Sequence, residues 1–230
     1  MGRSSAPLRE RRHSHWRKEY AVLVEYTQEF WDQRYRQRDR IWSGKPNRHL
    51  VAEVDGLQPG SALDVGCGEG ADAAWLAEQG WDVLGIDVSE VALDRARAHS
   101  AELDPSVADR LHWQQVDLLA SPDLPRDLDL VSIQFMHLPE PHRSRVFGEL
   151  ASRVAVGGTL LIVAHDPSDL HSGVGRPHQA DLYFTAQEIA ALLDDSWDVR
   201  VCESRPRVER SSDGHEHAIS DAVLLAVRTG

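Results

Sequence analysis

Cysteine is scarce in this chain: of 230 residues only Cys67 and Cys202 are cysteines, and neither has partners at the spacing of a disulfide framework or a zinc knuckle. That argues against a disulfide-stapled secreted module and fits a reducing, cytoplasmic setting. Long apolar runs are missing too. No stretch approaches the roughly 20 residues needed to span a bilayer, and the basic N-terminus is not followed by the apolar segment of a secretory signal, so no membrane partner is expected. Cations are outnumbered, with 25 Lys and Arg against 37 Asp and Glu and a net charge of −12. Nucleic-acid affinity leans on many basic contacts, so such a partner is not expected and a small or cationic ligand is easier to accommodate. The pairs His13-x-His15 and His215-x-His217 lack cysteines or helical i, i+4 partners, so no metal site is expected.

What is present suffices for one α/β domain with a sizeable core, given 41% hydrophobic residues. Three stretches differ in character. Residues 1–15 form a basic tail, expected to be mobile, and the basic excess runs on to Lys18 (Arg3, Arg9, Arg11, Arg12, Arg17 and Lys18 against Glu10 and Glu19). Residues 16–50 form a helical cover, because Tyr20, Leu23, Val24, Thr27, Phe30, Trp31, Arg34 and Tyr35 recur at helical spacing until the segment Trp42 to Pro46 breaks the pattern. Residues 51–230 alternate strands near 61–65, 82–86, 111–116, 128–134, 159–164, 197–203 and 219–227 with helices near 71–79, 89–100, 142–154 and 185–193. Ser89 and Thr185 suit helix starts. The link SRPRVERSSDGHEH is too short and polar for a packed crossover helix, which predicts a closing hairpin. The expected architecture is a doubly wound, seven-stranded, mostly parallel sheet with a C-terminal antiparallel hairpin.

The run LDVGCGEGADAAWLAEQGWDVLGID, Leu63 to Asp87, reads as strand, glycine turn, helix, strand and terminal carboxylate. Gly66, Gly68 and Gly70 free the chain to turn tightly and let a ligand approach the backbone. Asp87 falls at the end of the next strand, where a carboxylate can accept hydrogen bonds from both hydroxyls of a ribose. Glycines alone do not separate a dinucleotide from another adenosine cofactor, since Gly66-x-Gly68-x-x-Ala71 formally satisfies the dinucleotide pattern. Asp64 and Glu69 are the discriminators. Their negative charge opposes a pyrophosphate and suits a cation.

The segment DVGCGEG resembles the first motif of the class I S-adenosylmethionine-dependent methyltransferases, whose ligand carries a sulfonium and an ammonium. That resemblance covers the chain from about residue 28 to the end, and it implies S-adenosylmethionine as cofactor and the family's seven-stranded sheet. It implies that Asp64 helps hold the ammonium and that Asp87 and the adjoining Val88 lie at the ribose. It also implies that Asp117, with Leu118 behind it, meets the adenine, and that Gln134 lies beside the sulfonium. Phe135 and Met136 are candidates to pack on the cofactor. Trp31-x-x-x-Tyr35 with Trp42 and Asn47 resembles the aromatic N-terminal cover of thiopurine-methyltransferase-like and tellurite-resistance methyltransferases, where ring faces near a sulfonium gain about 0.5–2 kcal/mol.

His137 and His165 are the candidate bases, and His165, Asp166, Arg176 and His178 are candidates to touch the acceptor, because a loop at this sheet edge commonly carries specificity. The expected reaction is in-line methyl transfer to a small-molecule sulfur, oxygen or chalcogen nucleophile. Two alternatives stay open from the sequence: an NAD-dependent oxidoreductase, and a binding protein of this fold without catalysis.

Overall fold

The computed structural model describes residues 27–171, 179–210 and 215–230. The basic tail, Tyr20, Leu23, Val24, Arg176 and His178 lie outside the described residues. Helix α1 (Gln28–Arg36) starts at Thr27, whose extended backbone and side-chain oxygen cap the Phe30 amide. Thr27, read as one of the helix's periodic residues, is its cap. A second helix, α2 (Arg48–Val54), was not foreseen; Asn47 caps it, and Leu50 and Val54 are fully buried. The division expected at residues 50 and 51 falls inside this helix.

The remaining order is β1 (Ser61–Val65), α3 (Ala71–Glu78), β2 (Asp82–Asp87), α4 (Glu90–Ser100), α5 (Pro105–Ala108), β3 (Leu111–Gln115), β4 (Leu128–Gln134), α6 (His142–Ala151), β5 (Val154–His165), α7 (Ala186–Ala190), β6 (Trp197–Arg210) and β7 (Glu216–Arg228). The seven strands lie in the order β3-β2-β1-β4-β5-β7-β6. The first five are parallel; β7 runs antiparallel to both β5 and β6. The doubly wound architecture and the terminal hairpin are as expected.

Strands buried on both faces build two apolar layers. On one face Leu63, Val131, Ile133, Leu160, Ile162 and Leu224 meet Phe147 and Leu150 of α6 and Ile189 of α7. On the other, Ala62, Leu130, Leu161, Val163 and Val223 meet Leu50 and Val54 of α2 and Leu76 of α3. Asp64 and Ser132 stand opposite each other in register, as do Gln134 and Val163, and His165 and Asp221. By strand alternation these polar residues share the α2–α3 face, so the carboxyl edge of that face is where chemistry collects.

Several boundaries moved. Helix α6 stops at Ala151 rather than near 154, because Val154 already pairs with Leu128 and a register shift over Gly157 and Gly158 lets β5 run on to His165. Helix α7 is shorter than expected, although Thr185 and Glu188 form its capping box. The polar segment read as a connection is mostly strand: pairing runs from Trp197 with Arg228 to Arg210 with Glu216. Ion pairs sustain it where apolar residues do not. Arg207 binds Asp221 at 2.6 Å and Glu209 at 2.6 Å, while Arg205 binds Glu53 of α2 at 2.5 Å.

Candidate active site

Strand β1 ends at Val65 and the chain turns through Gly66, Gly68 and Gly70, at φ of 69°, 53° and 83°. Only glycine adopts three left-handed conformations so closely spaced without strain. The Gly66 and Cys67 amides both donate to the Ile86 carbonyl, at 2.8 and 3.0 Å, fastening the turn to β2. A Cβ at Gly68 would lie 2.9 Å from the Tyr35 hydroxyl and 3.2 Å from Trp42 Nε1. The cover thus closes directly on the backbone of the turn.

Asp87, at the end of β2, accepts from the Gly68 amide at 2.9 Å and the Ser89 amide at 2.8 Å. Burial raises its carboxyl above the ordinary range, while the Ser89, Gly68 and Val88 amides oppose that shift. Asp64 is 1% exposed, and the Ala73 amide on the first turn of α3 opposes the rise that burial gives its carboxyl. Its Oδ2 is buried without a donor, and in the next strand Gln134 Oε1 is also buried without one. Burial first, then the charges of Asp72 and Asp87, push Asp64 well above the ordinary carboxylate range. A bare buried acceptor is costly. Two of them on neighbouring strands suit a ligand bringing several N–H donors, as an ammonium does.

Tyr35 and Trp42 come together as expected, with Trp42 Nε1 donating to the Tyr35 hydroxyl at 2.9 Å. Burial, then Asp87, raises Tyr35 so that its phenol stays protonated. Trp31 sits one helical turn away against Phe30, Arg34 and Tyr35. Asn47, read as part of the cover, caps α2 and donates its amide to Asp72 Oδ1 at 2.5 Å. Glu69 does not present free charge to a ligand, which corrects the reading of that residue. It binds Arg95 at 2.8 Å and accepts the Ile41 and Trp42 amides at 3.2 and 3.1 Å, pinning the cover loop.

Asp117 is exposed and caps a short helical turn over Leu118–Ala120 through the Leu119 amide, at 2.8 Å. Gln134 donates to Ser132 at 2.9 Å. Beyond it Phe135 adopts φ +52°, a strained conformation for a non-glycine residue, and its ring lies 4.7 Å from His165. His137 stacks on His165 at 4.5 Å and 22°, and Tyr183 approaches His165 at 6.1 Å. Met136 faces the turn, 3.4 Å from a Cβ built at Gly66. The structure therefore brings the two candidate bases into one ring stack. Asp166 instead caps Ser168 through its amide and hydroxyl.

Three residues that organise the site carry no motif. Asp32, on the buried face of α1, accepts from Ser89 Oγ at 2.6 Å and docks the cover on α4. Arg143 donates to the Leu138 and Asp181 carbonyls, at 3.2 and 2.8 Å, holding together the two loops that carry His137 and Tyr183. His49 of α2 meets Asp221 at 3.0 Å, across 172 residues of chain. The only signal was indirect: charged residues on otherwise buried faces.

The sheet order is that of the methyltransferase fold, a parallel core closed by antiparallel C-terminal strands. Residues 62–158 match the family described as "Methyltransferase domain". Among curated relatives, the chain is 40% identical over 89 residues to the ubiquinone biosynthesis O-methyltransferase of Alkalilimnicola ehrlichii, covering 38% of this chain and 35% of that protein. It is 33% identical over 132 residues to the protein of the same name from Leptothrix cholodnii, covering 54% and 53%. The chain thus spans about a third to a half of the length of these relatives. Among solved structures, TehB from Haemophilus influenzae superposes with TM-score 0.62 at 19% identity, covering 87% of this chain and 66% of that one. Magnesium protoporphyrin IX methyltransferase from Synechocystis PCC 6803, solved with S-adenosylhomocysteine, gives 0.62 at 21%, covering 92% and 99%. At these identities the structural likeness speaks for the fold. No helix among the described residues is long and apolar enough to cross a membrane.

Proposed function

We propose that this protein transfers a methyl group from S-adenosylmethionine to a small-molecule nucleophile. One observation carries the reading: Asp64, buried near the end of β1 just before the glycine turn, keeps an acceptor oxygen without a donor, which suits a cationic ligand group and opposes a pyrophosphate. The residues present fit the cofactor. Asp64 and Gln134 would take the ammonium, Asp87 with Val88 the ribose, and Asp117 with Leu118 the adenine. Gly66 and Gly68 give backbone access, and Tyr35, Trp42 and Trp31 cover the sulfonium side.

When bound, the cofactor supplies an electrophilic methyl on sulfur. The chain's part is to hold donor and acceptor in line and exclude water, a contribution reaching about 7–11 kcal/mol in well-oriented systems. A base is required only for acceptors that arrive protonated. For that task we assign His137 and His165, whose rings stack at 4.5 Å. Oxygen, sulfur and heavier chalcogen nucleophiles all suit the geometry; relatives named O-methyltransferases put oxygen first in a screen.

The test is isothermal titration with S-adenosylhomocysteine, S-adenosylmethionine and NAD side by side, followed by methyl transfer to phenols, thiols and chalcogen oxyanions. Micromolar binding of the two adenosyl ligands alone is expected. NAD binding alone would return the reading to an oxidoreductase.

A further inference from the structure

Strand β4 breaks its alternation at the carboxyl end. Leu130 lies in the α2–α3 layer and Ile133 in the opposite one, so Phe135 should follow Ile133. Instead Phe135 packs against the α2–α3 layer, and Met136 against the other. The cause is the Phe135 φ of +52°, which turns its ring back to the face that carries Asp64 and Gln134. A left-handed backbone at a bulky residue is unfavourable and persists only where its surroundings enforce it; here the Phe135 amide donates to the Val163 carbonyl at 2.7 Å. The result is a wall of rings. Phe135 lies 4.7 Å from His165 and 6.5 Å from His137, at 24° to the latter, and Tyr183 stands 6.1 Å from His165. Phe135, His137 and His165 are each half-buried, so the wall keeps part of its surface open to solvent. His165 Nδ1 is buried there without a partner. The arginines on neighbouring elements are already engaged, Arg143 by the Leu138 and Asp181 carbonyls and Glu140, Arg207 by Asp221 and Glu209.

We propose that Phe135 determines acceptor specificity: its ring, beside the stack of His137 and His165, is the surface on which a planar aromatic acceptor lies, with the nucleophilic atom turned to the imidazoles. The inference rests on the methyl-transfer reading above and narrows it from the reacting atom to the scaffold that carries it. Rings paired in offset or tilted arrangements, at centroid distances of about 4.5–7 Å, gain more than burial of their area. A saturated ring of the same size gains burial alone, and a small oxyanion such as tellurite meets no unengaged arginine here to offset its desolvation. His165 Nδ1 supplies the polar contact for a hydroxyl or thiol on the aromatic ring.

The experiment loads the whole protein with saturating S-adenosylhomocysteine and titrates three probes by calorimetry: 2-naphthol, its saturated counterpart decahydro-2-naphthol, and tellurite. Binding to this dead-end complex reads recognition without the chemical step. The expected order is 2-naphthol tightest, the saturated alcohol about three- to tenfold weaker, and tellurite without measurable binding at millimolar concentration. Phe135→Leu keeps an apolar side chain and removes the ring; it should bring the dissociation constants of the two alcohols within about twofold of each other. Phe135→Tyr should keep the preference, which separates loss of the ring from loss of the fold. Equal binding of the two alcohols by the wild type overturns the proposal, as does a preference undiminished in Phe135→Leu or lost in Phe135→Tyr. So does a tighter complex with tellurite, or no binding of 2-naphthol to the loaded protein. If the wild type does not bind S-adenosylhomocysteine, it is the cofactor reading itself that fails.

Discussion

Both oxygens of Asp87 are already engaged by the Gly68 and Ser89 amides, and in the proposed reading the same carboxylate takes the ribose. Asp87→Ala should therefore weaken S-adenosylhomocysteine binding by roughly 1.5–3 kcal/mol, the range for hydrogen bonds to charged groups, as read by titration. An unchanged dissociation constant would remove Asp87 from the site. Asp72 supplies a stability test with a definite sign. Its carboxyl is raised on folding, so its stabilising contribution is present at low pH and is lost as pH rises through about 6. Asp72→Asn should accordingly be more stable than wild type at pH 7.5, by on the order of 1–2 kcal/mol, with the advantage shrinking below pH 6 and gone only near the ordinary carboxyl value of 3.8. The carboxylates at 64 and 87 were readable in the sequence because strand ends and glycine turns mark their places. Asp72 and Asp32 were not, since an acidic residue in a first helical turn or on a helix face looks the same whether it points to solvent or into a crevice.

The cover is held down mainly by groups outside it. Glu69 accepts two amides of the loop at Ile41 and Trp42, and Arg95 of α4 reaches the Tyr35 and Arg38 carbonyls at 2.6 and 2.8 Å. Replacing Glu69 with Ala leaves Arg95 unmatched and frees both amides. The expected outcome is faster cleavage between residues 37 and 46 in limited proteolysis and quicker cofactor release, with the melting temperature only slightly lowered. Equal protease resistance would show that Trp42 and Tyr35 hold the loop unaided. Element positions were largely legible, because apolar runs in the strands and caps at Ser89 and Thr185 are local signals. Ends set by distant pairing were not. The length of β5 depends on its partners β4 and β7, and α2 depends on the Asn47 cap and on a core that folds around Leu50.

Across the whole molecule, the cover and the C-terminal hairpin are joined by a buried polar knot of His49, Asp221 and Arg207. Asp221 lies below the ordinary carboxylate range: burial alone would raise it, but the bonds from His49 and Arg207 prevail. Its contribution is therefore present at neutral pH and is lost on acidification through its folded pKa. Asp221→Asn should lower stability by about 1–3 kcal/mol, because the buried bonds from His49 and Arg207 lose their charged acceptor while Arg207 keeps Glu209, and urea melts at pH 7 would measure this. A loss below 1 kcal/mol would mean that the ribbon holds itself. The hairpin also leaves β6 as an outermost strand fourteen residues long. A border of that length is an open template on which other extended chains can grow into fibrils. Here it is guarded: Pro206 offers no N–H, the register slips between Val199 and Val201, and charges recur at Asp198, Arg200, Glu203, Arg205, Arg207 and Glu209. The segment whose polarity hid it as a strand is, for the same reason, a poor seed for aggregation.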